Sequence, residues 1–279
     1  MIEVIEPGLF TTVQDKGRFG CRRLGVPLAG ALDAGSASMA NMILGNDLND
    51  ALFEITFSGP VLEFSCDTWV SAAGAFMKLL INGDLASMNR PLKVHKGDFL
   101  SFEKIRQGAR AYLAVAGGIK TVSILGSRSF FKGITPASSL QEGSLLPVEQ
   151  TDFLSYELEH EWVPYGLIHS TLDVFKGPEF HLLGNKDKEK LLDLTFTVSG
   201  KNSRMGYRLN EKLSANTRSI TTSPVLPGTV QYTPDGTLII LMRDCQTTGG
   251  YPRILQLSQE SIDILAQKKA GDIVRFRVR

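Results

Sequence analysis

The chain has 279 residues, enough for one large domain or two of ordinary size. A hydrophobic fraction of 43% with 21% charged residues is that of a soluble globular protein, and a net charge of +1 gives no electrostatic case for nucleic acid or an acidic membrane. No apolar run reaches about 18 residues, and three widely spaced cysteines fit a reducing cytoplasm better than a disulfide framework, so neither a signal peptide nor a membrane span is expected.

The N-terminal MIEVIEPGLF opens as a strand at Ile2 to Ile5, and a helix is expected over Ala34 to Leu44. Short apolar, β-branched runs follow at Phe53 to Phe57, Val61 to Phe64, Trp69 to Ala72, Phe76 to Ile81, Phe99 to Phe102 and Arg110 to Val115. Further along come Asp173 to Phe175, a helix at Asp187 to Leu192, then strands at Leu194 to Val198 and Thr237 to Met242. Ser258 is placed to cap a last helix over Gln259 to Gln267, and Ile273 to Val278 closes the series. Turn signals such as Ser58-Gly59-Pro60, Lys96-Gly97-Asp98 and Ala270-Gly271-Asp272 separate these runs. Many short strands at close spacing predict barrels or sandwiches, and the missing βαβ alternation excludes a doubly wound nucleotide fold.

Three local similarities recur in the same order. Val4 to Gly8 (VIEPG) is echoed by Val174 to Pro178 (VFKGP), Arg18 to Arg22 by Arg204 to Arg208 as Arg-x-Gly-x-Arg, and Lys96 to Phe102 by Ala270 to Phe276. One β module used twice accounts for the pattern. The charged stretch from Gln150 to Gly166 is then the linker, the domains are 1–155 and 156–279, and two such modules side by side would form a ligand cleft.

Several familiar chemistries lack their residues. The four histidines show no HxH or HExxH spacing and the cysteines no CxxC, so no metal site is expected. Ala116 to Thr121 (AGGIKT) has the wrong spacing for a phosphate loop and reads as a strand-ending turn, and no GxSxG elbow is present. What remains are polar, glycine-bearing loops: Thr11 to Arg18 with Gln14, Asp15 and Arg18; Gly30 to Asp33 with Ser36, Asn41 and Asn46; Gly126 to Arg128; Asn202 to Arg208; and Arg243 to Arg253 (RDCQTTGGYPR). Arginine in such a loop suits bidentate binding of carboxylate or phosphate. Each loop also reads as an ordinary solvated turn, or as an arginine held by a structural aspartate, and Asn41 and Asn46 read as helix C-terminal caps.

The motifs GLFTTVQDKGRFGCRRLGVPLAGALD (Gly8 to Asp33), SMANMILGN, YLAVAGGI, LGSRS, NSRMGYRL, GTVQ (Gly228 to Gln231) and DCQTTGGYP resemble the allophanate hydrolase subunit 2 or KipA family. That family includes biotin-dependent carboxyltransferase-like proteins and the C-subunit of 5-oxoprolinase, and the likeness runs along nearly the whole chain. It implies a mainly β protein of two cyclophilin-like β-barrel domains in tandem, with a few short helices. It also implies two partners: a B-subunit, of the KipI or allophanate hydrolase subunit 1 type, and an A-subunit, of the LamB/YcsF type. The implied reaction is opening of 5-oxo-L-proline to L-glutamate with ATP, as MgATP, by activation of the lactam carbonyl and attack by water. Biotin enters only under the alternative of carboxyl transfer to urea, and a second alternative is a KipA-type regulator that antagonises a KipI-like kinase inhibitor. Carried over residue by residue, the likeness implies a catalytic set of Arg204, Tyr207 and Gln246. It implies substrate or ATP contacts from Gln14, Asp15, Arg18, Asp33, Arg128, Gln231, Thr247, Thr248, Gly249, Gly250 and Tyr251, and Arg204→Ala is expected to abolish assembled activity without unfolding the chain. The family commonly shows Ser-Thr after the LGSR arginine, whereas this chain has Ser129-Phe130.

Overall fold

The computed structural model describes residues 1–149, 164–216 and 218–279. The expected linker lies largely, and the expected 155/156 boundary wholly, outside the described residues. The chain forms two compact units, one of Met1–Arg18 with Ala29–Leu167 and one of Phe19–Leu28 with Ile168–Arg279. The fold is mainly β, with few helices.

In the first unit, two antiparallel sheets face each other. One has the order Leu145–Leu146, Ile2–Glu6, Val61–Phe64, Phe99–Phe102, Leu79–Ile81, Asp84–Ala86, and the other Phe10–Gln14, Leu52–Thr56, Gln107–Val115, Thr68–Phe76, Leu92–Val94. Val4, Leu62, Phe64 and Leu100 of the first meet Val13, Phe53, Ile55, Val70 and Leu113 of the second in one buried cluster. Because side chains alternate along a strand, Leu52 and Tyr112 point the other way, against Ala37, Ala40 and Leu44 of the Ala34–Ile43 helix region. The five-stranded sheet is thus covered on both faces, which is why Leu52–Thr56 is buried throughout. The chain changes sheets at Phe57, held at φ +61° before Ser58-Gly59-Pro60.

The second unit is a closed barrel in the order Thr171–Lys176, Arg253–Leu257, Thr229–Tyr232, Thr237–Leu241, Gly206–Lys212, Phe196–Asn202, Ile273–Val278. Among the described residues of this barrel, only the closing seam, Thr171–Lys176 against Ile273–Val278, is parallel. The ladder closes in this unit and forms two sheets in the first, in keeping with the mainly β, barrel-forming fold expected. Val198, Tyr207, Leu209, Val230, Ile240 and Phe276 are buried, and the Phe196 and Phe276 rings lie 5.3 Å apart in a tilted pair.

The repeat seen in sequence has a structural counterpart in one turn. Gly97 and Gly271 have φ of +89° and +90°. Asp98 accepts through Oδ2 from the His95 N–H, and Asp272 likewise from the Lys269 N–H. The Gly97 N–H donates to the Phe64 carbonyl and that of Gly271 to the Val198 carbonyl. A left-handed glycine followed by an aspartate that closes its own turn is the shared chemistry of both sequences.

Candidate functional site

Within the first unit, the expected residues do come together, but their polar atoms are engaged with the protein. The Asp15 carboxylate accepts from the hydroxyls of Ser127 and Ser129, each at 2.6 Å, from the Arg128 backbone N–H at 2.6 Å and from the Gly17 N–H at 2.8 Å. Arg18, fully buried, donates to the carbonyls of Ile124 and Ser129. Arg128 donates from its side chain to the Thr121 carbonyl. These residues clasp the LGSRS loop onto the end of the Phe10–Gln14 strand. Gln14 is also buried and donates to Thr12 Oγ1 at 3.0 Å. Asp33 is the N-cap of the Ala34–Ile43 helix, accepting from Ser36 N–H at 2.9 Å and Ser36 Oγ at 2.5 Å. Asn41 and Asn46 bond one another and tie the helix end to the Asp50 and Val115 carbonyls. The AGGIKT stretch is a turn: the Gly117 N–H is held by Asn46 Oδ1 and that of Gly118 by the Val115 carbonyl. Under the capped helix, Glu54 Oε2 accepts from Leu32 N–H and Tyr112 Oη, and burial raises the Tyr112 phenol well above its ordinary range.

In the second unit, the loop after Thr237–Leu241 carries Gln246 to Tyr251 toward solvent. Gln246 and Thr248 are exposed, Thr247, Gly249 and Gly250 half-buried, and Tyr251 exposed. Thr248–Gly249 pairs with Ser223–Pro224 in a short two-stranded ribbon. The loop is pinned from behind by two guanidiniums. Arg204 holds Asp244 bidentately, Nε to Oδ2 at 2.8 Å and a terminal nitrogen to Oδ1 at 2.9 Å, while the Arg204 carbonyl accepts the Asp244 N–H. Arg22 donates to the carbonyls of Val225, Gln246 (3.5 Å) and Thr247 (3.2 Å). Between them lies Cys245, fully buried, its thiol pushed up to about 11 by burial and pulled back only partly by Arg22.

Two of the three residues expected to be catalytic are placed otherwise. Tyr207 pairs with Ile240, which pairs with Val230, so all three share the buried inner face of the barrel. Gln231 and Ile239 occupy the opposite, outer face, so Tyr207 and Gln231 do not line one site. Arg204 is spent on Asp244 behind the loop rather than presented at its surface, which leaves Gln246 as the exposed member. Gln231 lies 2% exposed on Thr229–Tyr232, beneath the ribbon, with Gln246 Nε2 at 3.5 Å from its Oε1. Arg22 was missed by sequence reasoning. The Arg-x-Gly-x-Arg echo pairs it with Arg208, which is solvent-exposed, so the only available signal pointed to a repeat and not to the loop it anchors. Chemically, the loop offers amide, hydroxyl and phenol groups on a fixed backbone, a set suited to holding a neutral polar ligand or stabilising developing negative charge. Among the described residues, no three His, Cys, Asp or Glu side chains cluster as a metal set.

The family model "Carboxyltransferase domain, subdomain A and B" matches residues 24–278. The 5-oxoprolinase C-subunit of Escherichia coli is 33% identical over 99% of this chain and 90% of its own length, and that of Haemophilus influenzae 28% identical over the same shares. The crystal structure of the K. lactis urea amidolyase superposes with a TM-score of 0.88 at 28% identity, covering 99% of this chain but 18% of that one. With the family model spanning most of the sequence and a relative a third identical across nearly all of it, the chain belongs to the carboxyltransferase domain family, subdomains A and B.

Proposed function

We propose that the chain is the C-subunit of an ATP-dependent 5-oxoprolinase, cleaving 5-oxo-L-proline to L-glutamate in the cytoplasm with its A- and B-subunits. The observation that carries this reading is the end-to-end similarity to proteins of that name, 99% of this chain against 90% of theirs. ATP, with its magnesium, serves as co-substrate: transfer of its γ-phosphoryl group to the lactam oxygen releases ADP and opens C5 to water, whose addition breaks the C5–N bond and expels phosphate to leave glutamate. On this chain the loop from Gln246 to Tyr251 contacts the substrate, and its amide and hydroxyl groups stabilise charge on the carbonyl oxygen as it develops. Arg204 and Arg22 act by holding that loop. The residues clasped around Asp15 in the first unit keep the LGSRS loop in place, and both oxygens of the Asp15 carboxylate already accept from protein donors.

The test is glutamate release from 5-oxoproline and ATP, with the chain alone and mixed with the A- and B-subunits. Turnover confined to the mixture supports the reading, and silence from a mixture that assembles removes it. A second reading, carboxyl transfer from carboxybiotin to urea, draws on the urea amidolyase superposition. It requires a biotin carrier on another protein, and bicarbonate- and urea-dependent turnover with such a carrier would select it. A partner that assembles with the chain yet yields neither activity would select the regulatory role.

A further inference from the structure

We infer that Gln231 is the residue that recognises the substrate's amide group, reading a ring amide or urea by its adjacent N–H and C=O. The inference rests on the functional reading above and deepens it. Gln231 is 2% exposed, and its Nε2 has no hydrogen-bond partner among the described residues. A buried donor without an acceptor is costly in a folded protein, and a ligand acceptor set against it would relieve that cost. Its Oε1 is also lightly used, receiving only Gln246 Nε2 at 3.5 Å, the outer limit of a hydrogen bond.

What covers Gln231 is a single short ribbon. Gly249 lies directly against the amide, and a Cβ at that position would come within 2.4 Å of Nε2, which the side chain could not accommodate without moving. The strand bearing Gly249 pairs with Ser223–Pro224 through two residue pairs, Ser223 with Gly249 and Pro224 with Thr248, and the Val225 and Ile220 N–H groups bond the flanking Thr247 and Gly250 carbonyls. Displacing that ribbon exposes a carboxamide with a donor and an acceptor on one edge.

The ligand class follows from that edge. A lactam holds its amide cis, so its N–H and C=O project side by side, and urea presents the same pair. Such an edge meets a primary carboxamide in two antiparallel hydrogen bonds, ligand N–H to Oε1 and Nε2–H to the ligand oxygen. An ester or lactone lacks the N–H and would leave Oε1 facing another acceptor. Sites built to hydrogen-bond a group reject analogues without it far more strongly than apolar pockets reject a missing methylene.

The experiment compares wild type, Gln231→Leu and Gly249→Ala in the complex assembled with the A- and B-subunits. It measures KM and kcat for 5-oxoproline, inhibition by the lactone with oxygen in place of the ring nitrogen, and the melting temperature of the chain. For Gln231→Leu the expected result is an unchanged or raised melting temperature, because an unsatisfied buried donor is removed. KM should rise by roughly tenfold to a hundredfold, the loss of two neutral hydrogen bonds, and the preference for lactam over lactone should vanish. Gly249→Ala should raise KM in the same direction by pushing the amide aside. A Gln231→Leu chain that melts lower while keeping wild-type KM and lactone discrimination would make Gln231 a structural residue and overturn the inference. A wild-type complex that turns over no 5-oxoproline, but is stabilised by urea or another lactam and not by the lactone through Gln231, would retain amide recognition and discard the 5-oxoprolinase reading.

Discussion

Asp244 keeps a carboxylate at 12% exposure because Arg204, itself 9% exposed, meets it with two aligned N–H groups. Removing the arginine leaves that charge buried and unpaired. Arg204→Ala is therefore expected to destabilise the second unit by about 3 kcal/mol, read as a shifted urea midpoint, rather than to abolish activity in an intact fold. In sequence Arg204 reads either as a ligand-binding arginine or as one held by a structural aspartate; here it holds Asp244, 40 residues away, and spacing alone does not separate an internal partner from a ligand. Cys245 gives a second residue-scale test. Burial pushes its thiol up to about 11 from an ordinary value of 9.0, so the folded chain holds that proton more tightly than the unfolded one. Stability from this group is complete below pH 9 and lost as pH rises through about 11, on the order of 2–3 kcal/mol over that window. Cys245→Ala should flatten this alkaline limb in denaturation measured from pH 8 to 11. At pH 8, a thiol reagent should modify the half-buried Cys21 and Cys66 readily and Cys245 only on unfolding.

The elements that were legible in sequence are those whose signals are local. Val61–Phe64, Phe99–Phe102 and Ile273–Val278 stand where their apolar runs predict, and Ser258 caps Gln259–Ala266 by accepting from the Ser261 N–H. The strands that escaped prediction, among them Phe10–Gln14, Gly206–Lys212 and Thr229–Tyr232, are rich in Thr, Gln, Asn and charged residues and owe their conformation to partners distant in sequence. Closure of the barrel is likewise invisible locally. Its seam sets Thr171–Lys176 parallel to Ile273–Val278, and Asp173, directly paired with Arg277, clasps the seam by bonding both Arg277 and Arg279. First the Arg277 hydrogen bond, then that of Arg279, lowers the Asp173 carboxyl from 3.8 to about 2. Because its folded-state value is depressed, its contribution is present above about pH 4 and lost as pH falls through 2. Asp173→Asn should be less stable than wild type at pH 7 and should lose less additional stability between pH 4 and pH 2, as followed by near-ultraviolet circular dichroism.

At the scale of the whole molecule, the linear division into residues 1–155 and 156–279 meets a chain that does not divide linearly. Phe19–Leu28 leaves the first unit after Arg18 and belongs to the second, and the chain returns to the first at Ala29. Both ends of the excursion are anchored in the first unit, Arg18 by the carbonyls of Ile124 and Ser129, and Ala31 by the Asp15 carbonyl. At its centre, Arg22 supplies the side chain that holds the carbonyls of Val225, Gln246 and Thr247 in the second unit. No cut at a single point can then give two complete units. A fragment of residues 168–279 lacks Arg22, leaving those carbonyls without its guanidinium and the Gln246–Tyr251 loop held by Arg204–Asp244 and by its backbone bonds to Ile220, Ser223, Pro224 and Val225. It is expected to retain the barrel ladders, since these lie wholly within Ile168–Arg279. Its loop, however, should exchange amide protons much faster than in the full chain, most visibly at Val225 N–H, which donates to the Thr247 carbonyl, and at Ile220 N–H, which donates to that of Gly250. Supplying a peptide of residues 19–28 should slow exchange at Val225 and Ile220, and the same peptide with Arg22→Ala should not. Equal protection in the bare fragment and the full chain would mean that the loop holds its shape without the excursion, and that Arg22 only rests upon it.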